Sequence, residues 1–123
     1  MTKSLEDYLE AIHRQIQETG SARVVDVAKT LGVKMPSVNN AVKELSKLGF
    51  IEYEPYQHIK MTQDGVRRAA MIFKRHTLLK NFLISIGVSE QNAETDACAM
   101  EHILSNETVD RFQEMTEKAI TEA

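Results

Sequence analysis

The sequence predicts a mainly α fold, with three short helices closed by a β-hairpin over residues 1–64 and an all-helical segment over residues 65–123. Three observations predict it. Apolar residues recur at three- and four-residue spacing through most of the chain, as on one face of an amphipathic helix. Glycines 20, 32, 49, 65 and 87 stand mostly between those stretches, where helix stops and turns are expected. One short stretch breaks the helical period. Phe50-Ile51-Glu52-Tyr53 and His58-Ile59-Lys60-Met61 are rich in β-branched and aromatic residues, and they flank Glu54-Pro55-Tyr56-Gln57, which reads as a hairpin turn.

The elements follow in order. Ser4 to Glu18 opens with a capping-box pattern, Ser4 with Asp7 three residues on, and carries Leu5, Tyr8, Leu9, Ile12 and Ile16 at helical spacing. Arg23 to Leu31 reads as a short helix stopped by Gly32. A tight connection leads into Met35 to Leu48, where Val38, Ala41, Val42 and Leu45 share one side and Pro36 suits the first turn. Helix, helix, turn, helix and then a hairpin is the order of a winged helix-turn-helix. A long helix is expected from Thr62 to about Ile86, with Val66, Ala69, Ala70, Ile72, Phe73, Leu78, Leu79, Phe82 and Leu83 as its apolar positions. Ser89 can cap the next helix, and 93–105 and 107–121 read as two more. This last third is too small to bury its apolar faces alone, so a homodimer is expected.

At 123 residues the chain is large enough for one compact domain or two small ones, and too small for a large enzyme. Its opening residues lack the basic head and apolar run of a secretory signal, and no apolar stretch approaches a bilayer span. The cytoplasm is therefore expected, with no membrane partner. A single cysteine, Cys98, rules out an internal disulfide framework and fits a reducing compartment. Net charge is −3, yet residues 21–80 hold eleven Lys or Arg against five Asp or Glu, whereas residues 81–123 hold two against nine. The middle of the chain can face phosphates; the acidic tail needs another role, such as binding cations or forming a dimer face.

On the second helix of the pair, Asn39 and Asn40 are short polar groups of the kind that make paired bonds to adenine. Pro36 and Ser37 can pack on thymine methyls, while Lys43, Lys47 and the wing residue Lys60 are placed for phosphates. On the helix alone, solvated surface is the better explanation of these residues, because exposed Asn and Lys are commonplace. The wing and the basic middle decide for double-stranded DNA.

A second group is acidic and helical. Cys98, Glu101 and His102 stand at i, i+3 and i+4, expected on one face of one helix. A thiolate, a carboxylate and an imidazole suit a transition metal better than calcium or magnesium. Asp7 and Glu10 form an i, i+3 pair on the first helix away from its apolar stripe, and His76 lies on the long helix; together they could complete the site. Taken singly, each is better explained by a plain structural reading, Cys98 as a small core residue, Glu101 and His102 as solvated surface, Asp7 and Glu10 as acids favoured in a first turn, and only convergence of the three segments overturns it.

Residues 5–12 (LEDYLEAI), 23–65, 74–88 (KRHTLLKNFLISIGV) and 96–105 (DACAMEHILS) resemble the diphtheria toxin repressor family of iron- and manganese-dependent regulators. The resemblance covers nearly the whole chain. It implies a metal-dependent, homodimeric repressor of metal-homeostasis genes, acting on a DNA operator expected to be pseudo-palindromic. It assigns Asp7, Glu10, His76, Cys98, Glu101 and His102 to the metal site, and the helix of Pro36, Ser37, Asn39 and Asn40 to DNA reading. The chain ends before the SH3-like domain of longer members, so it resembles the two-domain form.

Two positions depart from the family pattern. Manganese-sensing members typically have Glu where this chain has Cys98, and the best-known iron-sensing members have Met where it has Asp7. The soft thiolate favours Fe(II), with Mn(II) as the alternative and Co(II), Ni(II) or Zn(II) able to bind in vitro. Two other functions would use parts of the same pattern. A winged-helix regulator of an organic ligand, or of none, would share the first half; a small helical metalloenzyme would use similar side chains, but neither a second Glu-x-x-His repeat nor a His-Glu-x-x-His run is present. No enzymatic activity and no small organic substrate are expected.

Overall fold

The computed structural model describes residues 1–55 and 58–122, with side chains described as far as Lys118. It contains α1 (Lys3–Thr19), α2 (Val24–Leu31), α3 (Met35–Lys47), β1 (Ile51–Glu52), β2 (Lys60–Met61), α4 (Gln63–Ser85), α5 (Glu90–Met100) and α6 (Asn106–Glu122). These fall into two compact units, residues 1–70 and 71–123.

In the first unit the amphipathic faces of three helices meet. Leu9 and Ile12 from α1, Val27 from α2, and Val38, Val42 and Leu45 from α3 are fully buried together with Ile51 and Ile59 of the wing. Each such side chain contributes about 1.5–3 kcal/mol on burial, so these positions hold the three-helix core closed. The cap of α1 is Thr2 rather than Ser4: its hydroxyl accepts from the Leu5 N–H at 3.2 Å, and Ser4 lies inside the helix. Both residue types cap well, and the pattern Ser-x-x-Asp alone does not distinguish the two starts.

The hairpin is shorter than the eight residues expected. β1 and β2 pair antiparallel, with Ile51 opposite Met61 and Glu52 opposite Lys60, and Ile59 bridges to Ala22. Phe50 is withdrawn from the strand because its N–H closes the end of α3 on the Leu45 carbonyl at 3.1 Å. Gly49, at φ 82, allows that reversal. Of the expected hairpin turn, Tyr56 and Gln57 lie outside the described residues.

Gly65 does not stop a helix. It sits in the first turn of α4, where a Cβ would lie 1.9 Å from the Phe50 carbonyl oxygen, so α4 can start against the wing only through glycine. Thr62 fixes the junction, donating to the Gly49 carbonyl at 2.7 Å and accepting from the Gly65 N–H at 3.0 Å.

In the second unit, Phe82 and Leu83 of α4 pack with Ala93 of α5, and Phe82 stacks on Phe112 of α6 at 4.2 Å between ring centres. Ser89 caps α5 as expected, its Oγ accepting from the Asn92 N–H, but the helix begins at Glu90 and ends at Met100. It stops early because Ser105 is committed to capping α6, accepting from the Thr108 N–H at 3.2 Å. Val66 and Phe73, expected on the apolar stripe of α4, are exposed. No helix among the described residues is long and apolar enough to cross a membrane.

Candidate metal centre and nucleic-acid interface

The second unit draws three of the expected ligands together. Donor atoms of His76, Cys98 and Glu101 all lie within 4.8 Å of one another. His76 projects from α4 and Cys98 from the last turns of α5. Glu101 is the C-cap of that helix and keeps helical backbone angles, so its carboxylate stays one turn beyond Cys98. The expectation that Cys98, Glu101 and His102 share one helix is therefore corrected for the last two: Glu101 caps the helix and His102 lies in the turn that follows.

Glu101 is the centre of this group. It is 2% exposed, and its two oxygens reach different imidazoles: Oε2 lies 2.9 Å from His76 Nδ1, and Oε1 lies 3.1 Å from His102 Nε2. A buried carboxylate is costly unless charge or hydrogen bonds compensate it. The other ring nitrogen of His76 lies 2.9 Å from Glu94 Oε1, and Glu94 Oε2 meets the Lys80 ammonium at 3.1 Å. The hydrogen bond with His76, and after it that with Lys80, holds the Glu94 carboxyl below the usual carboxylate range, while the hydrogen bond to Glu94 raises Lys80. Imidazole nitrogen, thiol sulfur and carboxylate oxygen converging around a buried acid form a donor set that fits a first-row transition metal.

Asp7 and Glu10 belong to the first unit, one turn apart on α1. There Asp7 lies 3.9 Å from the Lys3 ammonium and Glu10 3.4 Å from the Arg14 guanidinium.

The expected DNA-facing residues lie on α3 and, for Lys60, on β2 of the wing. Pro36, Ser37, Asn40, Lys43, Lys47 and Lys60 are exposed and Asn39 is half-buried. Between α3, the start of α2 and the wing lies a concavity of about 570 Å³, lined by Arg23, Met35, Asn39, Lys43, Tyr53 and His58 among others. Arg23 Nε donates to His58 Nε2 at 3.1 Å, tying the start of α2 to the wing. Sequence reasoning assigned no role to this pair, because nothing local links residues 35 positions apart. The same holds for Arg75, which donates to the Leu104 carbonyl and to Asn106 Oδ1, bracing the turn that carries Glu101 and His102.

Comparison with known proteins agrees with this geometry. Residues 1–59 match the description "Iron dependent repressor, N-terminal DNA binding domain", and residues 62–121 match "Iron dependent repressor, metal binding and dimerisation domain". The chain is 38% identical over 120 residues to an uncharacterised helix-turn-helix-type transcriptional regulator of Methanocaldococcus jannaschii, covering 96% of each chain. It is 41% identical over 114 residues to the transcriptional regulator MntR of Escherichia coli, covering 93% of this chain and 74% of that one. Among solved structures, the IdeR protein of T. acidophilum superposes with a TM-score of 0.76 at 27% identity, over 91% of this chain and 53% of that one. With both halves matched in the order that the winged helix and the donor cluster require, the chain belongs to the diphtheria toxin repressor, or iron-dependent repressor, family of metal-dependent transcriptional regulators.

Proposed function

We propose that this protein is a homodimeric repressor that binds an operator when Fe(II) is abundant and so limits expression of metal-homeostasis genes, with Mn(II) as the alternative metal. The observation that carries the reading is the convergence of His76, Cys98 and Glu101 around a buried carboxylate. His102, on the other oxygen of Glu101, and the Asp7–Glu10 pair of α1 complete the proposed ligand set; family membership supports their inclusion. When bound, the metal supplies a divalent positive charge and fixed coordination directions. Cys98 supplies a soft donor, which favours iron over manganese, and Co(II), Ni(II) or Zn(II) should also bind in vitro because later divalent ions bind such donors more tightly.

The rest follows from the chain's own residues. Asp7 and Glu10 stand on the DNA-binding unit, and the other four ligands on the unit matched as the dimerisation domain. A bound ion restricts the motion of the residues committed to it. A dimer reads successive major grooves only when its two recognition helices are roughly 34–36 Å apart, so restriction raises the fraction of dimers competent to bind. Asn39 and Asn40 read base edges, Pro36 and Ser37 pack on thymine methyls, and Lys43, Lys47 and Lys60 meet phosphates. Two-fold symmetry makes the operator a pseudo-palindrome. Phe73, Ile84, Ile86 and Ile103, all more than 40% exposed, provide apolar surface for the partner subunit. The reading places the protein in the cytoplasm as a regulator, with no membrane partner, no organic substrate and no catalytic residues.

The test is operator binding by metal-free protein, titrated anaerobically with Fe(II) and separately with Mn(II). Metal should stimulate binding, with the iron curve at lower concentration. Glu101→Ala and His102→Ala should abolish the stimulation while sedimentation still reports a folded dimer; metal-independent operator binding would instead identify a regulator of another stimulus.

A further inference from the structure

One side chain outside the donor set ties together two stretches of chain that carry it. Arg75 precedes His76 on α4, and its guanidinium reaches across to the turn between α5 and α6. Nη2 donates to the Leu104 carbonyl and Nη1 to Asn106 Oδ1 at 3.4 Å, so one fork holds the end of the turn and the first residue of α6. Glu101 and His102 stand at the start of the same turn. The backbone bonds of that stretch are local: the Ile103 and Leu104 N–H groups both return to the Met100 carbonyl, at 3.1 and 3.2 Å, and the Glu101 N–H returns to the Ala97 carbonyl at 3.0 Å. Ile103 is 74% exposed, so apolar packing does not fix the turn at that position. Arg75 ties the turn's backbone to α4.

Resting on the metal-site reading above, we propose that Arg75 is a positioning residue of the metal centre: it holds the turn of Glu101 and His102 beside His76 independently of the ion, and so sets metal affinity without touching the metal. A ligand that moves freely in the metal-free protein must be ordered when an ion binds, and the entropy lost is subtracted from the binding free energy. A turn already held by Arg75 loses less. The chemistry of the side chain suits this task, because a guanidinium is planar, stays charged at physiological pH and presents several N–H donors in a rigid fork. Arg75 and His76 are consecutive on one helix, so a single turn of α4 presents both a ligand and the brace for two others. Both acceptors of the fork are neutral and neither belongs to a proposed ligand. Removing the fork therefore leaves the donor set intact.

The experiment titrates the full chain with Co(II), whose visible absorption reports affinity and ligand set separately. Arg75→Met keeps the stem and removes the donors. It should weaken Co(II) binding by about tenfold or more, as for other groups that support a ligand, while the saturated complex keeps the wild-type ligand-field and thiolate charge-transfer bands. Arg75→Lys, which can still reach one acceptor, should recover part of the loss. In metal-free Arg75→Met, hydrogen exchange at the amides of 101–105 should speed up while Leu9 and Leu45 of the first unit stay protected as in wild type. Should the Met variant fail to fold, Arg75→Lys and Asn106→Ala carry the same readouts, each with a smaller change. Undiminished affinity, unchanged exchange in the turn, or a weaker complex with altered bands would overturn the proposal while leaving the metal site intact. No Co(II) uptake by the wild type would instead remove the metal-site reading and this inference with it.

Discussion

Replacing Glu101 by Gln tests the site with almost no change of shape. The carboxylate is buried and both oxygens are engaged, at 2.9 Å by His76 and at 3.1 Å by His102. Gln keeps one oxygen but presents an NH₂ group in place of the other, and it removes the negative charge. Substitutions of groups that merely support a ligand typically weaken metal binding about 10–100-fold, so loss of a buried ligand charge should cost at least about 100-fold, or ~2.7 kcal/mol. Thermal unfolding reads this directly. At a metal concentration 100 times the wild-type Kd, linkage stabilises wild type by about 2.7 kcal/mol, whereas a Kd weakened 100-fold leaves about 0.4 kcal/mol. At about 4 °C per kcal/mol for a chain of this size, the metal-induced rise in Tm should be about 11 °C for wild type and about 2 °C for the variant. Equal rises in the two proteins would show that Glu101 does not hold the ion.

Three further outcomes are expected. Cys98→Glu replaces the soft donor with a hard one, and should shift the ratio of Mn(II) to Fe(II) affinity towards manganese by about tenfold, ~1.4 kcal/mol, in anaerobic competition titrations. Asn40→Ala should cost about 1–3 kcal/mol of operator affinity and relax preference at one base pair, whereas Lys60→Ala should weaken binding to all sequences and reduce the magnitude of the salt-dependence slope by about 0.9; fluorescence anisotropy with operator variants separates the two. Gly65→Ala forces a Cβ to 1.9 Å from the Phe50 carbonyl, so the wing and the start of α4 must separate. Overpacking of this kind costs about 3 kcal/mol, which should lower Tm by about 12 °C in metal-free protein.

Much of the fold is legible in the chain because it is set by local periodicity. The apolar spacing in α1, α2 and α3 marks the residues that are buried, and Gly20, Gly32 and Gly49 mark where the helices reverse. The chain's own spacing also brings Cys98 and Glu101 together, since one helical turn separates them whatever they pack against. The exact ends of elements were less legible. Ser4 and Thr2 are equally good caps on paper, and α5 stops at Met100 because Ser105 serves the following helix and Arg75 takes the Leu104 carbonyl.

Residue order alone therefore determined the winged-helix topology, the helical second half and the set of donor types, all of which follow from patterns a few residues long. Only the tertiary structure decided that His76 stands beside Cys98 and Glu101, that Glu101 is buried between two imidazoles, and that Lys80 grips Glu94. Those contacts join residues as many as 25 positions apart. Their existence depends on how α4 and α5 pack, and packing between helices is fixed by the fit of whole faces rather than by any spacing within one of them.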